Sequence, residues 1–390
     1  MQHAPASRRQ TSPVAAVHQF VTSPRGYVCF VVAVFTVLCL FRAFFPERPS
    51  NIDSSVGRYL IGSWKFIYAT ENPPLFNWLI NVSGLVFGKT ILAVEVVRFS
   101  LLAALYLFVY RAMRGIVDDA RFAALAGLAL FASYLTGWEP VFKQSNSILL
   151  MAAIGGTLYA LVRLDRRPDT ASYVWFTLAT AVGIYAKYNF AIFWVALVAA
   201  ALTDPTVRRR ILDWRMAVGL LLVAVCFLPV ALKIADNMFA LKNYGHKQLR
   251  TEISFHFVPP AVSAIFDMLL NALAVAVPLL FIVVAVAPRS LALAEWRMQG
   301  RAGRFCRVLG LSLLLQLVIM TIGILSFGIT RMEQRYLFIF VPVLPYLVLR
   351  LAALPVSERQ QQWLAAALVV TAMIIVFGTV FRYVIYPLYH

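Results

Sequence analysis

The stretch YVCFVVAVFTVLCLFRAFF, residues 27–45, decides the class of protein to which this chain belongs. A helix that crosses a bilayer needs about 20 mostly apolar residues, and this run nearly supplies them. Arginines precede it, as in a secretory signal, but the run is longer than the apolar core of about 7–15 residues in such signals. No small-residue cleavage site precedes the loop that follows. We therefore expect an uncleaved first membrane helix.

Similar apolar runs continue along the whole sequence. Of the 390 residues, 61% are hydrophobic and 13% charged, and the mean hydropathy is +0.78, whereas soluble proteins average about 45–50% apolar and about 25% charged residues. The stretch 74–88 is too short to span a bilayer and is predicted as an interfacial helix. The sequence thus predicts an all-α polytopic membrane protein without a large soluble domain. The eleven predicted spans are 26–45, 90–113, 121–137, 146–164, 171–186, 188–203, 216–235, 262–287, 308–325, 336–354 and 364–386.

The net charge of +18 has two separate origins along the sequence. With the N-terminus in the cytoplasm, 20 of the 35 basic residues fall on the inner side, all of them arginine, as the positive-inside rule requires. All seven lysines fall on the outer side or in the outer half of a span. Topology explains the inner arginines, so we expect no nucleic acid as partner. The outer cations need an anionic partner.

The sequence motifs do not indicate a metal site or a nucleotide-binding site. The four cysteines lie in or beside apolar runs, with no CxxC pair and no Cys/His cluster at metal spacing. The predicted inner face has no Walker motif and no GxGxxG loop for a nucleotide. We expect neither a disulfide nor a zinc site, and no cofactor; a divalent metal is possible but not indicated.

The first predicted outer loop reads FPERPSNIDSSVGRYLIGSWKFIYATENPPLFNWL, residues 45–79. Taken alone, Asp53 is typical of a residue that caps an amphipathic helix, since VGRYLIGSWKFIY follows it. The end of the loop changes this interpretation, because Glu71 and Asn72 lead through two prolines into an aromatic-Trp-Leu sequence.

In these residues the chain resembles the C-type glycosyltransferases, the superfamily of protein O-mannosyltransferases and of the bacterial aminoarabinose transferases that modify lipid A. A second stretch, GIYAKYNFAIFWVALVAAALTDPTVRRRIL at 183–212, is similar to a helix pair of bacterial members. The resemblance covers about the first 215 residues. Two positions depart from the family: Ser54 replaces the usual second acid, and Asn72 stands where many members have lysine or histidine. The matching residues are Asp53, Tyr68, Asn72, Pro73, Pro74, Leu75, Phe76, Trp78 and Leu79.

The resemblance implies the GT-C fold and a division of the chain into four parts. Residues 1–25 would be a cytoplasmic tail, and 26–235 a catalytic membrane module that includes the outer loop 46–89. Residues 236–261 would form an extracytoplasmic loop, and 262–390 the C-terminal transmembrane helices. The protein would lie in the bacterial inner membrane among its lipids, with its active site on the periplasmic side.

The resemblance also implies a reaction. A sugar would pass with inversion from a polyprenyl-phosphate donor to lipid A, core oligosaccharide or another envelope glycan. Such a transfer needs a carboxylate base, for which Asp53 is the candidate, and cations to hold the departing phosphate. Candidate residues of a substrate loop are Glu71, Asn72, Tyr59, Tyr68, Tyr188 and His246.

Five cations are candidates for the donor phosphate, each with a plainer interpretation. Lys187 interrupts a long apolar region, where a charge is costly, but it could also snorkel to the outer interface. Arg58 and Lys143 could equally be solvated. Arg331 and Arg335 have no topological role, but they flank Glu333 and could pair with it.

Two other kinds of protein fit the same sequence. A transporter or lipid flippase would place ionisable residues near the middle of the membrane, and the candidates are Glu95, Arg98 and Asp267. A catalytically inactive scaffold of the same fold is the other alternative, because Ser54 leaves Asp53 without an acidic neighbour.

Overall fold

The structure is a computed structural model that describes residues 12–45, 52–68, 72–142, 145–236, 258–288, 299–332 and 334–385. Helices dominate this part of the chain, which confirms the predicted all-α membrane fold. A π-helical turn covers Tyr134–Trp138, a 3₁₀ helix Gln334–Phe340 and a second π-helical turn Phe381–Ile385. The α-helices are Pro13–Thr22 (α1), Pro24–Phe44 (α2), Ile52–Leu60 (α3), Leu75–Phe87 (α4), Ile91–Ile116 (α5), Ala120–Ala132 (α6), Glu139–Phe142 (α7), Ser145–Arg166 (α8), Thr170–Ala186 (α9), Phe190–Leu202 (α10), Pro205–Ile211 (α11), Trp214–Asp236 (α12), Pro260–Val286 (α13), Gly300–Phe327 (α14), Val343–Leu351 (α15) and Glu358–Val380 (α16).

The number of membrane spans differs from the sequence prediction of eleven. Within the described ranges, seven helices are long and apolar enough to cross a membrane, and a bent pair makes an eighth if it is counted as one span. The helix α10 has 13 residues and reaches about 20 Å at 1.5 Å per residue, less than the hydrocarbon core of about 30 Å. Apolar windows locate such helices but do not show how far they reach.

The first two helices, α1 and α2, each begin after a serine that caps the helix and is followed by proline. The hydroxyl of Ser12 accepts a hydrogen bond from Ala15 N at the start of α1, and the hydroxyl of Ser23 accepts one from Gly26 N at the start of α2. Proline in the first helical position costs nothing, because its missing N–H would lack a helical partner there. Residues 13–22, predicted as part of a tail, therefore form a helix, and it lies against α16 and α6.

Helix α5 is the central pillar of the bundle and packs against α2, α4, α6 and α8. The phenol of Tyr27 on α2 donates to the Tyr106 carbonyl on α5 at 3.1 Å. Gly127 on α6 leaves the space that the Tyr27 hydroxyl occupies. A large polar side chain is thus buried with its hydroxyl satisfied, as a dry interior requires.

The predicted span 121–137 is broken in the structure. Helix α6 ends at Ala132, Ser133 is extended, and the segment Tyr134–Phe142 turns away by 83°. The hydroxyl of Thr136 donates back to the Leu130 carbonyl, so a side chain satisfies a backbone group that the break leaves open. Residues 121–137 contain no proline, which is why their apolar character alone predicted a straight helix.

Helix α4 marks one end of the bundle, which we call the α4 end. Helices α2 and α9 end there, while α5 and α8 begin there. At the opposite end, Asp165 binds Arg301 and Arg304 at 3.3 and 3.1 Å, which joins α8 to α14. Both arginines lie on helix α14, which begins at Gly300 rather than at the predicted residue 308.

Candidate active site

The loop after α3 is fastened to α4 by one buried amide. Asn81 is 2% exposed; its Oδ1 accepts from Gly62 N at 2.7 Å, and its Nδ2 donates to the Tyr68 hydroxyl at 3.0 Å. Gly62 has a φ of +86°, a conformation that favours glycine. The indole of Trp78 donates to the Lys65 carbonyl at 2.9 Å. Tyr68, a predicted substrate-loop residue, is therefore held in a fixed position.

Helix α3 carries Asp53 in its first turn and rests on α4 and α5. Gly57, one turn further along, is the point of close approach: a Cβ there would come within 3.2 Å of Val94 on α5 and 3.4 Å of Ile80 on α4. Two other predicted residues of this helix, Arg58 and Tyr59, are exposed, the tyrosine by 86%. The side chain of Asp53 lies outside the described part of the structure.

Lys187 lies in the sharp turn between α9 and α10, in extended backbone conformation. Its ammonium donates to the hydroxyl of Ser147 at 3.0 Å and lies 5.7 Å from the centre of the Tyr336 ring. The side chain is half-buried and points to neighbouring helices. This position agrees with a lysine that faces neighbouring helices rather than one that extends to the outer interface.

Three distant parts of the chain meet around this lysine. Ser147 belongs to the first turn of α8, and Tyr336 to the 3₁₀ helix. Asn189, on the other side of the turn, donates from Nδ2 to the Tyr336 carbonyl at 3.3 Å. The first N–H groups of a helix lack intrahelical partners and favour anions, so the start of α8 beside Lys187 combines two features suited to a phosphate.

The turn is held in place from both sides. Gly183 on α9 packs directly under the ring of Phe190 on α10, where no side chain would fit. Trp78 of α4 lies 5.9 Å from the ring of Tyr185, whose hydroxyl donates to the Cys226 carbonyl at 2.6 Å. Helix α4, which follows the loop of Asp53, is thereby in contact with α9, the helix that ends just before Lys187.

The structure locates the predicted site residues unevenly. Lys187 and the half-buried Tyr188 lie in the turn, and Asn72 is half-buried just before Pro73. Arg331 is exposed after the end of α14. Arg335 directly precedes Tyr336 in the 3₁₀ helix, but its side chain lies outside the described residues. Also outside them are Lys143, Glu71 and His246.

Sequence reasoning missed the contacts of Lys187 and a buried ion cluster. Ser147 stands in the polar stretch SNS that opens an apolar run, a signal that could have marked it as a partner of a charge. In the cluster, Glu95 accepts from Arg98 at 3.0 Å and from Arg42 at 3.3 Å. The three charged residues sit in predicted spans, where charges require partners.

The cluster bears on the transporter interpretation. Glu95 and Arg98 are fully buried and bound to each other, and Glu95 also binds Arg42. Asp267, the third candidate, is buried on α13, and its carbonyl accepts from Asn271 at 2.8 Å. The first two side chains therefore serve contacts between helices.

At the end of the bundle opposite α4, two acidic side chains of the turns have hydrogen-bond partners. The Arg215 guanidinium donates to both carboxylate oxygens of Asp213 at 2.9 and 3.0 Å, which holds the pKa of Asp213 well below its usual range. Hydrogen bonds from Ser172 lower the pKa of Asp169, which caps α9. Among the described residues, no three His, Cys, Asp or Glu side chains are grouped to hold a metal.

The sequence is similar to known glycosyltransferases. Residues 71–232 match the family model described as dolichyl-phosphate-mannose-protein mannosyltransferase. The chain is 30% identical over 215 residues to the lipopolysaccharide core galacturonosyltransferase RgtA of Rhizobium johnstonii. This alignment covers 53% of this chain and 41% of RgtA. The chain is also 30% identical over 166 residues to RgtB of the same organism, covering 43% of this chain and 34% of RgtB. The aligned part thus spans less than half of each relative.

The fold is similar to that of a solved membrane protein. ArnT from Cupriavidus metallidurans bound to undecaprenyl phosphate superposes with a TM-score of 0.59 at 19% identity, over 85% of this chain and 60% of ArnT. The apo state of ArnT gives a TM-score of 0.55, also at 19% identity, over 84% of this chain and 59% of ArnT. The chain is thus an integral membrane protein with the GT-C fold seen in ArnT, and its residues 71–232 are similar to the dolichyl-phosphate-mannose-protein mannosyltransferase family.

Proposed function

We propose that this protein is a membrane glycosyltransferase that takes a sugar from a polyprenyl-phosphate donor and transfers it to a glycolipid acceptor. The observation that carries the proposal is the position of Lys187 inside the matched family region. Its ammonium faces the start of α8 and the ring of Tyr336, at the same end of the bundle as the loop of Asp53. A cation beside a helix start, half removed from water, suits a phosphate group.

The proposed reaction moves one proton and breaks one bond. Asp53 takes the proton from an acceptor hydroxyl, and the acceptor oxygen attacks the anomeric carbon from the face opposite the phosphate. The bond between that carbon and the phosphate oxygen breaks, and polyprenyl phosphate departs with the electron pair, so the configuration inverts. Lys187 stabilises the negative charge that develops on the phosphate, with Arg331, Arg335, Lys143 and Arg58 as further candidate cations.

The relatives suggest the finer identity of the substrates. RgtA and RgtB are named for galacturonosyl transfer to the lipopolysaccharide core, and the solved ArnT binds undecaprenyl phosphate. We propose undecaprenyl phosphate as the carrier, a uronic acid as the sugar and the lipopolysaccharide core as the acceptor. The site would face the periplasm from the bacterial inner membrane, with the N-terminus in the cytoplasm.

Transfer by the purified full chain tests this proposal. The chain in lipid nanodiscs is given undecaprenyl-phospho-galacturonic acid and lipopolysaccharide core, and mass spectrometry follows the added uronic acid. We expect Asp53→Asn to lower kcat by about 100-fold or more, since a general base contributes about 10²–10⁴-fold. Ser54→Ala, next to it, serves as the matched control and should retain activity.

Two results would count against the proposal in different ways. Normal turnover by Asp53→Asn would remove Asp53 from the role of base while leaving the transferase intact. A wild-type chain that binds undecaprenyl phosphate no better than a lipid without phosphate, and transfers no sugar, would overturn the proposed function itself.

A further inference from the structure

A buried ion cluster lies inside the bundle near the α4 end. One Arg98 amino group, Nη1, is 3.0 and 3.1 Å from the two carboxylate oxygens of Glu95, and Arg42 reaches the same carboxylate at 3.3 Å. The exposed fractions are 0% for Glu95 and Arg98 and 2% for Arg42. Burying such charges costs several kcal/mol per ion, and apolar residues of similar size often give equal or greater stability. The cluster therefore calls for an explanation beyond stability.

The second amino group of Arg98 contacts the bent segment Tyr134–Phe142. Its Nη2 donates to the Pro140 carbonyl at 3.0 Å. This carbonyl belongs to the short helix Glu139–Phe142, and the guanidinium supplies a charged donor to it. Arg98 thus binds the backbone of the bent segment, while Glu95 holds the guanidinium in the orientation that reaches it.

A second side chain of α5 supports the same segment. The Tyr106 hydroxyl donates to the Thr136 carbonyl at 3.3 Å. Arg98 and Tyr106 are eight residues apart on α5, which corresponds to about 12 Å along a helix. The bent segment is therefore fixed at two points to the central pillar of the bundle.

The bent segment lies just before α8, the helix whose Ser147 accepts a hydrogen bond from Lys187. Phe142 is its last described residue, and α8 is described from Ser145. Ser147, in the first turn of α8, accepts the hydrogen bond from the Lys187 ammonium. Hydrogen bonds and the intervening chain therefore connect Glu95, through Arg98 and the bent segment, to Lys187.

We propose that Arg98 is a positioning residue for the phosphate site. Through the Pro140 carbonyl it fixes the start of α8, and with it the hydroxyl that orients the Lys187 ammonium; Glu95 orients Arg98. The inference rests on the proposed function in one respect only, namely that Lys187 binds the phosphate of the donor. The structural part, the dependence of the α8 start on Arg98, stands apart from it.

Two lysine substitutions at the same carboxylate separate positioning from simple stability. Arg98→Lys keeps a positive charge beside Glu95, but a single ammonium cannot replace the two amino groups that reach Glu95 and Pro140. Arg42→Lys is the matched control, because it also removes one guanidinium from Glu95. We expect undecaprenyl phosphate to bind about tenfold more weakly to Arg98→Lys, the effect of one lost hydrogen bond of ordinary strength. Binding to Arg42→Lys should stay within about twofold of wild type.

Hydrogen exchange gives a measurement that does not depend on ligand. Amides of 136–142 and 147–150 should exchange faster in Arg98→Lys than in Arg42→Lys, at matched thermal stability. A donor KM that rises while kcat stays near wild type would agree with this. Equal exchange and equal affinity in the two variants would overturn the proposal, because the cluster would then act on stability alone.

A double-mutant cycle tests whether Arg98 acts through α8. Ser147→Ala removes one hydrogen-bond acceptor of Lys187 without touching the cluster, so its effect and that of Arg98→Lys on undecaprenyl phosphate affinity should be less than additive. Fully additive losses would contradict the path of contacts. If Arg98→Lys does not fold, Tyr106→Phe loosens the same segment and should raise both the exchange rates and the dissociation constant. Wild-type protein that fails to bind undecaprenyl phosphate would defeat the proposed function, while the exchange comparison would still decide the structural part.

Discussion

At the scale of single residues, Lys187 shows how a charged side chain is held half-buried between helices. Its ammonium donates a hydrogen bond to the Ser147 hydroxyl and lies over the ring of Tyr336. The hydrogen bond and the ring contact offset part of the free energy that the ammonium loses on leaving water. A cation held in this way beside the start of a helix is suited to bind an anionic group.

Removing this charge should weaken binding of the lipid carrier. We expect Lys187→Gln to bind undecaprenyl phosphate about 10- to 100-fold more weakly, because a hydrogen bond to a charged group contributes about 1.5–3 kcal/mol. Fluorescence titration with the purified chain measures the dissociation constant. Lys89→Gln removes the same charge from an exposed position after α4 and is the control. Equal weakening in both variants would point to a general surface charge effect.

At the scale of helices, the pair α9–α10 presents Lys187 on a short hairpin. With 17 and 13 residues, the two helices extend about 25 and 20 Å at 1.5 Å per residue. The turn between them is tight because Gly183 lets the Phe190 ring lie directly against the helix backbone. The position of the ammonium therefore depends on how closely two helices approach.

Forcing these helices apart should disturb the site. Gly183→Ala places a methyl group inside the contact distance of the Phe190 ring, and overpacking of this kind costs about 1–3 kcal/mol. We expect a lower thermal midpoint and weaker binding of undecaprenyl phosphate. Gly156→Ala on α8 is the matched control, because its methyl group would meet Phe108 at an ordinary 3.6 Å. A Gly183→Ala protein as stable and as tight-binding as the control would contradict this account.

The same scale shows what the sequence predicted and why the rest escaped it. Local signals were sufficient for α4, a short helix marked by two prolines and a limited apolar run, and for the lysine between two apolar helices. The break at Ser133 has no proline to reveal it. The partners of Lys187 come from positions 147 and 336, and no local pattern links residues so distant in sequence. The catalytic assignment of Asp53 stays a prediction.

At the scale of the whole molecule, α1 packs at the end of the bundle opposite α4, against α16 and the start of α6. His18, in the middle of α1, is 2% exposed. Burial lowers the pKa of His18 below its ordinary value of 6.5, and the nearby Arg121 adds to this effect. The imidazole is accordingly neutral in the folded protein at pH 7. His18 thus couples the protonation state of one buried side chain to the packing of α1.

Acidification should loosen α1. Because the folded-state pKa of His18 lies below the unfolded value of 6.5, its contribution to stability is complete above about pH 6.5 and declines as the pH falls toward the folded value. We expect amides of α1 to exchange faster at pH 5.5 than at pH 7.5, after correction for intrinsic exchange. His18→Gln should lose most of this pH dependence. A wild-type response no larger than that of the variant would remove His18 as the cause.

The contact between α1 and α16 also has a consequence for biosynthesis. Pro13 leaves the ribosome early, whereas Glu358 follows only after most of the chain has been inserted. At about 5–20 residues per second, the first helix waits roughly 20–70 s for its partner. During that interval its apolar face is available to the insertion machinery and to chaperones. A bulky tag fused ahead of α1 should therefore delay the last step of assembly more than it disturbs the finished molecule.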